Sequence, residues 1–216
     1  MFDFKKPPLN REGFFFLEEY PQIFFEVKMM STHENGTKKF TTKRIVFIAL
    51  FVALSFALSF FSFPIFPATP YMKLDFSNVF ILLTGLLFGP VEGIVVCVLK
   101  EIIGITNSSS GGVGELANAI MTTSFILLPS LIYRIKKSTK AAIISLIPAC
   151  LIGTAVALVT NRFIIFPMYM GDGAAAVFES AFWFAVAFNL IKTASISLIT
   201  GVMFKRLAYF VKKYRI

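Results

Sequence analysis

The sequence predicts an all-α integral membrane protein with six transmembrane helices and both termini in the cytoplasm, and three observations support that class. First, the 216 residues are 56% hydrophobic and 15% charged, with a mean hydropathy of +0.77, whereas a soluble domain is about 25% charged. Second, the apolar residues fall into long runs separated by short connections rich in Pro, Gly or Lys. Third, the net charge of +9 is carried largely by basic clusters at the ends of those runs. Membrane topology imposes that pattern, so the lipid bilayer is the expected partner and nucleic acid is not. Cys97 and Cys150 lie inside apolar segments and read as small buried hydrophobes, not as a disulfide. His33 is the single histidine and has no second ligand near it, so no metal is expected.

Residues 1–42 differ from the rest and form a polar and aromatic extension, with Pro7-Pro8, Phe14-Phe15-Phe16 and Phe24-Phe25. Its apolar runs are too short to span a bilayer, and they lack the pattern of a cleavable signal. Two readings stay open. The segment is interfacial or disordered, or translation starts at Met29 or Met30 and leaves a polar tail from Ser31 to Gly36. Residues 43–216 read as one six-helix membrane domain.

The first span follows Lys43-Arg44 and runs from about Ile45 to Phe61. Ala49, Ala53 and Ala57 recur along one face as a ridge that lets another helix approach closely; chance recurrence of a common helix former is the plainer account. Residues Phe61 to Phe76 contain Pro64, Pro67 and Pro70, which forbid a regular helix. The segment is aromatic and apolar, so it packs over either the membrane surface or a ligand cavity. The second span covers about Ser77 to Phe88 and the third about Val91 to Ile105. Gly89-Pro90 between them is a stop-and-restart signal, with a single span kinked at Pro90 as the competing reading. Lys100 and Glu101 are adjacent and so do not share a helix face, so a simple intrahelical salt bridge is not implied.

Asn107 to Gly114 is a Ser/Gly loop, flexible by composition. The pattern G-x-x-x-x-G-K-[ST] is absent from it and from the whole chain, so no ATPase of Walker type is expected here. The fourth span runs from Glu115 to about Tyr133, with Asn118 early in it, and a basic loop follows with Arg134, Lys136, Lys137 and Lys140. The fifth span covers about Ala141 to Ile165, with Asn161 and Arg162 near its far end. Gly171-Asp172-Gly173 leads to the sixth, whose apolar stretch is Phe182 to Phe204, and the tail from Lys205 is basic. With six spans, Lys43-Arg44, the loop at 134–140 and the tail share one side, which their positive charge makes cytoplasmic. The Pro/aromatic, Ser/Gly and Gly-Asp-Gly loops are then external.

Lys192 sits about ten residues from either end of the sixth apolar stretch. That places its ammonium roughly 15 Å from each membrane face, where a lysine costs on the order of 2.5–3.5 kcal/mol. Asn189, three residues earlier, shares its helix face. Either a neighbouring carboxylate or backbone carbonyls satisfy Lys192, or the pair forms a ligand-binding floor inside the bundle. No carboxylate pair, nucleophile with a base, or metal cluster stands out, so no catalytic residue is predicted and the chain is not read as an enzyme.

Five segments in order carry a resemblance. They are Tyr71-Met72-Lys73-Leu74-Asp75-Phe76-Ser77, Phe88-Gly89-Pro90-Val91-Glu92-Gly93, Val98-Leu99-Lys100, Asn161-Arg162-Phe163-Ile164-Ile165-Phe166-Pro167-Met168-Tyr169 and Phe188-Asn189-Leu190-Ile191-Lys192. From roughly Lys43 onward the chain resembles the riboflavin-specific substrate-binding (S) components of energy-coupling factor (ECF) transporters. The resemblance implies a multi-pass protein of a prokaryotic plasma membrane that captures riboflavin, or its phosphate FMN, from outside. The flavin is then cargo, not a cofactor. Uptake would need a transmembrane T component and two ATP-binding-cassette ATPases. By similarity Tyr71 and Leu74 belong to a loop that covers the ligand, and Asn161, Asn189 and Lys192 line the pocket. The Ala49/Ala53/Ala57 ridge resembles the alanine motif that docks on the T component. Two departures concern fine contacts: Asn78 follows Ser77 where the family commonly has Asp, and Glu115 precedes Ala117-Asn118 in a variable segment. Chemically, aromatic and aliphatic residues suit the flavin ring, while Asn and Lys suit its polar edge and ribityl hydroxyls. A self-sufficient secondary transporter, with Lys192 or Glu101 relaying protons, is the alternative.

Overall fold

The structure, a computed structural model, describes residues 42–108 and 110–214. The N-terminal extension expected over 1–42 therefore lies outside the described residues, except for Thr42. The described chain consists of α1 (Thr42–Ser59), the short strands β1 (Phe63–Pro64) and β2 (Lys73–Leu74), α2 (Asn78–Leu87), α3 (Pro90–Ile105), α4 (Val113–Lys136), α5 (Thr139–Thr160), a π-helical segment (Asn161–Ile165), α6 (Phe166–Met170), a 3-10 turn (Gly171–Gly173) and α7 (Ala174–Tyr214).

The stop at Gly89-Pro90 separates two helices; no kinked span joins them. Gly89 has φ 126°, a backbone conformation open to glycine, and Pro90 begins α3. The two helices then fold back on each other. A Cβ added to Gly93 would lie 2.9 Å from the Gly85 Cα, so two missing side chains set how closely α2 and α3 approach. Glu92, in the first turn of α3, reaches Arg44 of α1 at 2.6 Å, and Arg44 also donates to the Phe88 carbonyl at 2.5 Å. That corner holds α1 to the α2–α3 turn.

Two boundaries differ from expectation. Helix α7 already begins at Ala174 and continues to Tyr214, because Ala174-Ala175-Ala176 strongly favours helix and the basic residues after Phe204 do not terminate one. The fifth span loses α geometry at Asn161, where one wider turn carries the chain into α6. The stretches Val113–Lys136 and Thr139–Leu207 are long and apolar enough to cross a membrane, while Arg44–Ser59 and Asn78–Leu87 are apolar but shorter.

Two apolar clusters fill the interior. One joins α1 to α5 and the distal half of α7 through residues such as Phe51, Leu82, Val96, Phe125, Ala149, Ile196 and Phe204. The other gathers Met72 and Leu74 of the β1–β2 connection against Phe166, Phe178, Ala185 and Phe188. The Pro-rich connection thus folds inward at its second half. Phe63 pairs with Leu74 and Pro64 with Lys73 across the antiparallel strands, and this pins Leu74 inward.

Candidate functional site

Between the two clusters lies a cavity of about 410 Å³, a volume suited to a small organic ligand. Its walls come from α1 (Phe56, Ser59), the connection (Tyr71, Met72, Lys73, Asp75), α3 (Lys100, Glu101, Gly104), the loop before α4 (Asn107, Ser110), α4 (Glu115, Asn118, Met121), the π segment (Asn161, Ile165), α6 (Phe166, Tyr169) and α7 (Phe188, Asn189, Lys192). The irregular backbone next to it is therefore backbone that lines a cavity, which is where membrane proteins tolerate it.

Asn189 and Lys192 face the cavity together, as their three-residue spacing requires. Both are buried, and the Asn189 Nδ2 donates to the Ala185 carbonyl at 2.8 Å, which leaves its Oδ1 as an acceptor. The Lys192 ammonium donates to the Asn118 Oδ1 at 2.8 Å and lies 3.5 Å from the Asp75 carboxylate. It also sits 5.9 Å from the centre of the Phe188 ring. Lys192 therefore has the carboxylate neighbour that its burial demands.

Asp75 is held by its own turn. It accepts from the Ser77 amide at 2.9 Å and from the Ser77 hydroxyl. Burial pushes its carboxyl up, but Lys192, Lys100 and the two Ser77 bonds outweigh that and hold it below its ordinary value.

A second ion pair stands on α3. Lys100 donates to Glu101 at 3.0 Å, with both side chains buried. The adjacency of the two residues does not by itself imply such a bond. They form it because both are turned from the lipid side toward one cavity, and a four-carbon stem can bend round to a neighbouring carboxylate. Asn118 connects the two pairs, since its Nδ2 donates to Glu101 while its Oδ1 accepts from Lys192. Behind it, Asn78 bonds Asn118 at 3.0 Å and Thr122 at 2.8 Å.

The other expected residues are distributed as follows. Asn161 lines the cavity at the start of the π segment. Tyr71 lines it from the connection, 43% exposed, with its ring edge-on to Phe166 at 6.1 Å. Leu74 does not reach the lining; it is buried in the apolar cluster beneath the connection. Ala49, Ala53 and Ala57 all lie on an exposed face of α1. Asp75, Asn118 and Lys100 were not expected as site residues, and Glu101 only as a proton relay in the alternative reading. Their signal was available: ionisable and amide side chains within apolar runs mark functional interiors.

Comparison with known proteins decides the family. Residues 43–204 match the family model for the ECF transporter, substrate-specific component. The chain belongs to this family. The resemblance carried by the five segments is thereby borne out, and the protein is a transport component rather than an enzyme. An S component of this kind associates with the energy-coupling T and ATPase parts of an ECF transporter. Among its relatives, the riboflavin transporter RibU of Staphylococcus aureus (strain TCH60) is 36% identical over 190 residues, covering 83% of this chain and 99% of that protein. The riboflavin transporter FmnP of Bacillus subtilis (strain 168) is 31% identical over 183 residues, covering 80% and 96%. A solved structure of the S component of a bacterial ECF transporter superposes with a TM-score of 0.69 at 38% identity, covering 79% of this S component and 98% of that chain.

Proposed function

We propose that this S component captures riboflavin in the 410 Å³ cavity from the extracellular side and delivers it with one T component and two ATP-binding-cassette ATPases. The observation that carries the reading is the make-up of the cavity wall. Phe56, Tyr71, Phe166, Tyr169 and Phe188 supply flat apolar surface, and Asn161, Asn189 and Lys192 supply donors and acceptors. A flavin offers the matching parts: an apolar ring, a polar ring edge and a hydroxyl-rich chain. The names of the RibU and FmnP relatives support the same ligand.

Charge supports riboflavin over FMN. Among the described residues, the charged side chains lining the cavity are Lys73, Lys100 and Lys192 against Asp75, Glu101 and Glu115, a three-to-three balance that favours an uncharged guest. In this reading Asn161, Asn189 and Lys192 bond the flavin, Tyr71 covers it, and Leu74 anchors the covering connection from beneath. Helices α1 to α5 and α7 span the plasma membrane six times with both termini cytoplasmic. The exposed Ala49/Ala53/Ala57 face docks on the T component. Titration of the purified protein with riboflavin tests the assignment: saturable quenching of flavin fluorescence is expected, and its absence would overturn it.

A further inference from the structure

We infer that Asn118 is a positioning residue for substrate capture: it sets the direction of the Lys192 ammonium and acts on the ligand through it. The inference rests on the flavin reading above and adds to it a residue on a different helix.

The argument starts from what each neighbour can do. An ionised carboxylate only accepts hydrogen bonds and an ammonium only donates them. Asn118 stands between one of each, with Glu101 on its Nδ2 and the Lys192 Nζ at 2.8 Å on its Oδ1. The amide therefore has one workable orientation, because a flip would set NH₂ against ammonium and carbonyl against carboxylate. Asn78 reinforces that orientation with a reciprocal pair, donating to the Asn118 Oδ1 at 3.0 Å and accepting from its Nδ2 at 3.3 Å. Glu101 is fixed in turn by Lys100 at 3.0 Å.

Lys192 depends on this arrangement. Its side chain has four rotatable carbons and reaches a buried position, 4% exposed, where an unfixed ammonium could bend toward any acceptor. Asp75 at 3.5 Å supplies charge but only a loose contact. The shorter bond, and the only one of the two from a helix, is to Asn118. Alternating partners thus run from Lys100 through Glu101, Asn118 and Lys192 to Asp75, and the neutral member in the middle decides where the terminal ammonium points.

A double-mutant cycle tests this. Riboflavin affinity is measured by fluorescence quenching for the full chain, N118A, K192A and the double variant, with thermal midpoints of the ligand-free proteins as a check on folding. N118A is expected to weaken binding about ten- to a hundredfold, and to change it less than about twofold once Lys192 is already alanine. Equal losses in both backgrounds would overturn the inference, because Asn118 would then act on its own; so would unchanged affinity of N118A. No saturable quenching by the unsubstituted chain would remove the flavin reading and this inference with it, which separates the two failures. If N118A fails to fold, N118D and N118D with E101Q decide the matter. The single change sets two carboxylates face to face, and the pair restores a donor facing an acceptor at unchanged net charge. Recovery of affinity in the pair supports positioning, and no recovery overturns it.

Discussion

The Lys192 ammonium and the Asp75 carboxylate face each other at 3.5 Å, joining the middle of α7 to the turn that precedes α2. Both side chains are buried, so removing one partner leaves the other charge with neutral hydrogen-bonding neighbours such as Asn118 for Lys192 and Ser77 for Asp75. D75A is expected to destabilise the ligand-free protein by up to about 3–5 kcal/mol, the usual cost of breaking a buried ion pair from one side, with Asn118 still holding the ammonium. D75A with K192A should recover part of that loss. Thermal unfolding in detergent reads both values, and additive losses would contradict a direct pair.

The same pair sets a response to acid. The Asp75 carboxyl is held below its ordinary value in the folded protein, so its contribution is complete above the ordinary carboxylate range near about pH 4 and is lost as pH falls below it. Thermal midpoints measured from neutral pH down to about pH 3 should fall with a component that D75N abolishes.

Ligand contact and folding should separate at Asn161 and Asn189. N161A and N189A are each expected to weaken riboflavin binding by about 1–3 kcal/mol, with ligand-free thermal midpoints close to the parent. Calorimetric titration together with unfolding measures both properties on one preparation.

At the α2–α3 crossing the expectation is reversed. A Cβ at Gly93 would meet the Gly85 Cα at 2.9 Å and the Ile126 Cδ1 at 3.0 Å, and backbone cannot move aside as a flexible side-chain tip can. G93A should cost about 1–3 kcal/mol of stability and, if the helices separate, affinity as a secondary effect. Thermal unfolding measures the first, and fluorescence quenching the second.

The exposed alanine face offers a change that leaves the pocket untouched. A53L should leave riboflavin binding unchanged and reduce co-purification with the T component and its ATPases severalfold, because the added side chain holds the helices apart. Undiminished assembly would locate the docking surface elsewhere.

Sequence reasoning reached the elements whose signals are local. Gly89-Pro90 announces its break through backbone sterics, and the spacing of Asn189 and Lys192 fixes a common face before any tertiary contact is known. It missed what depends on distant partners. Nothing near Asn118 reveals that Glu101, Asn78 and Lys192 converge on its amide from three other helices. The Lys100–Glu101 bond was not implied by the sequence because helix-face geometry describes where side chains leave the backbone, not where long ones end. Leu74 shows the complementary limit: its motif pointed to the covering loop, while its strand pairing with Phe63 turns it into the apolar cluster.

The balanced lining has a consequence for the medium in which the protein works. A pocket with a net positive field would draw in mobile anions and release them when a ligand arrived, and its affinity would fall as salt rose. Here Lys73, Lys100 and Lys192 are offset by Asp75, Glu101 and Glu115 among the described residues of the same wall. Capture of an uncharged guest should therefore proceed with nearly the same affinity from about 0.05 M to about 0.5 M NaCl, so that a cell moving between dilute and saline surroundings keeps the same hold on its vitamin.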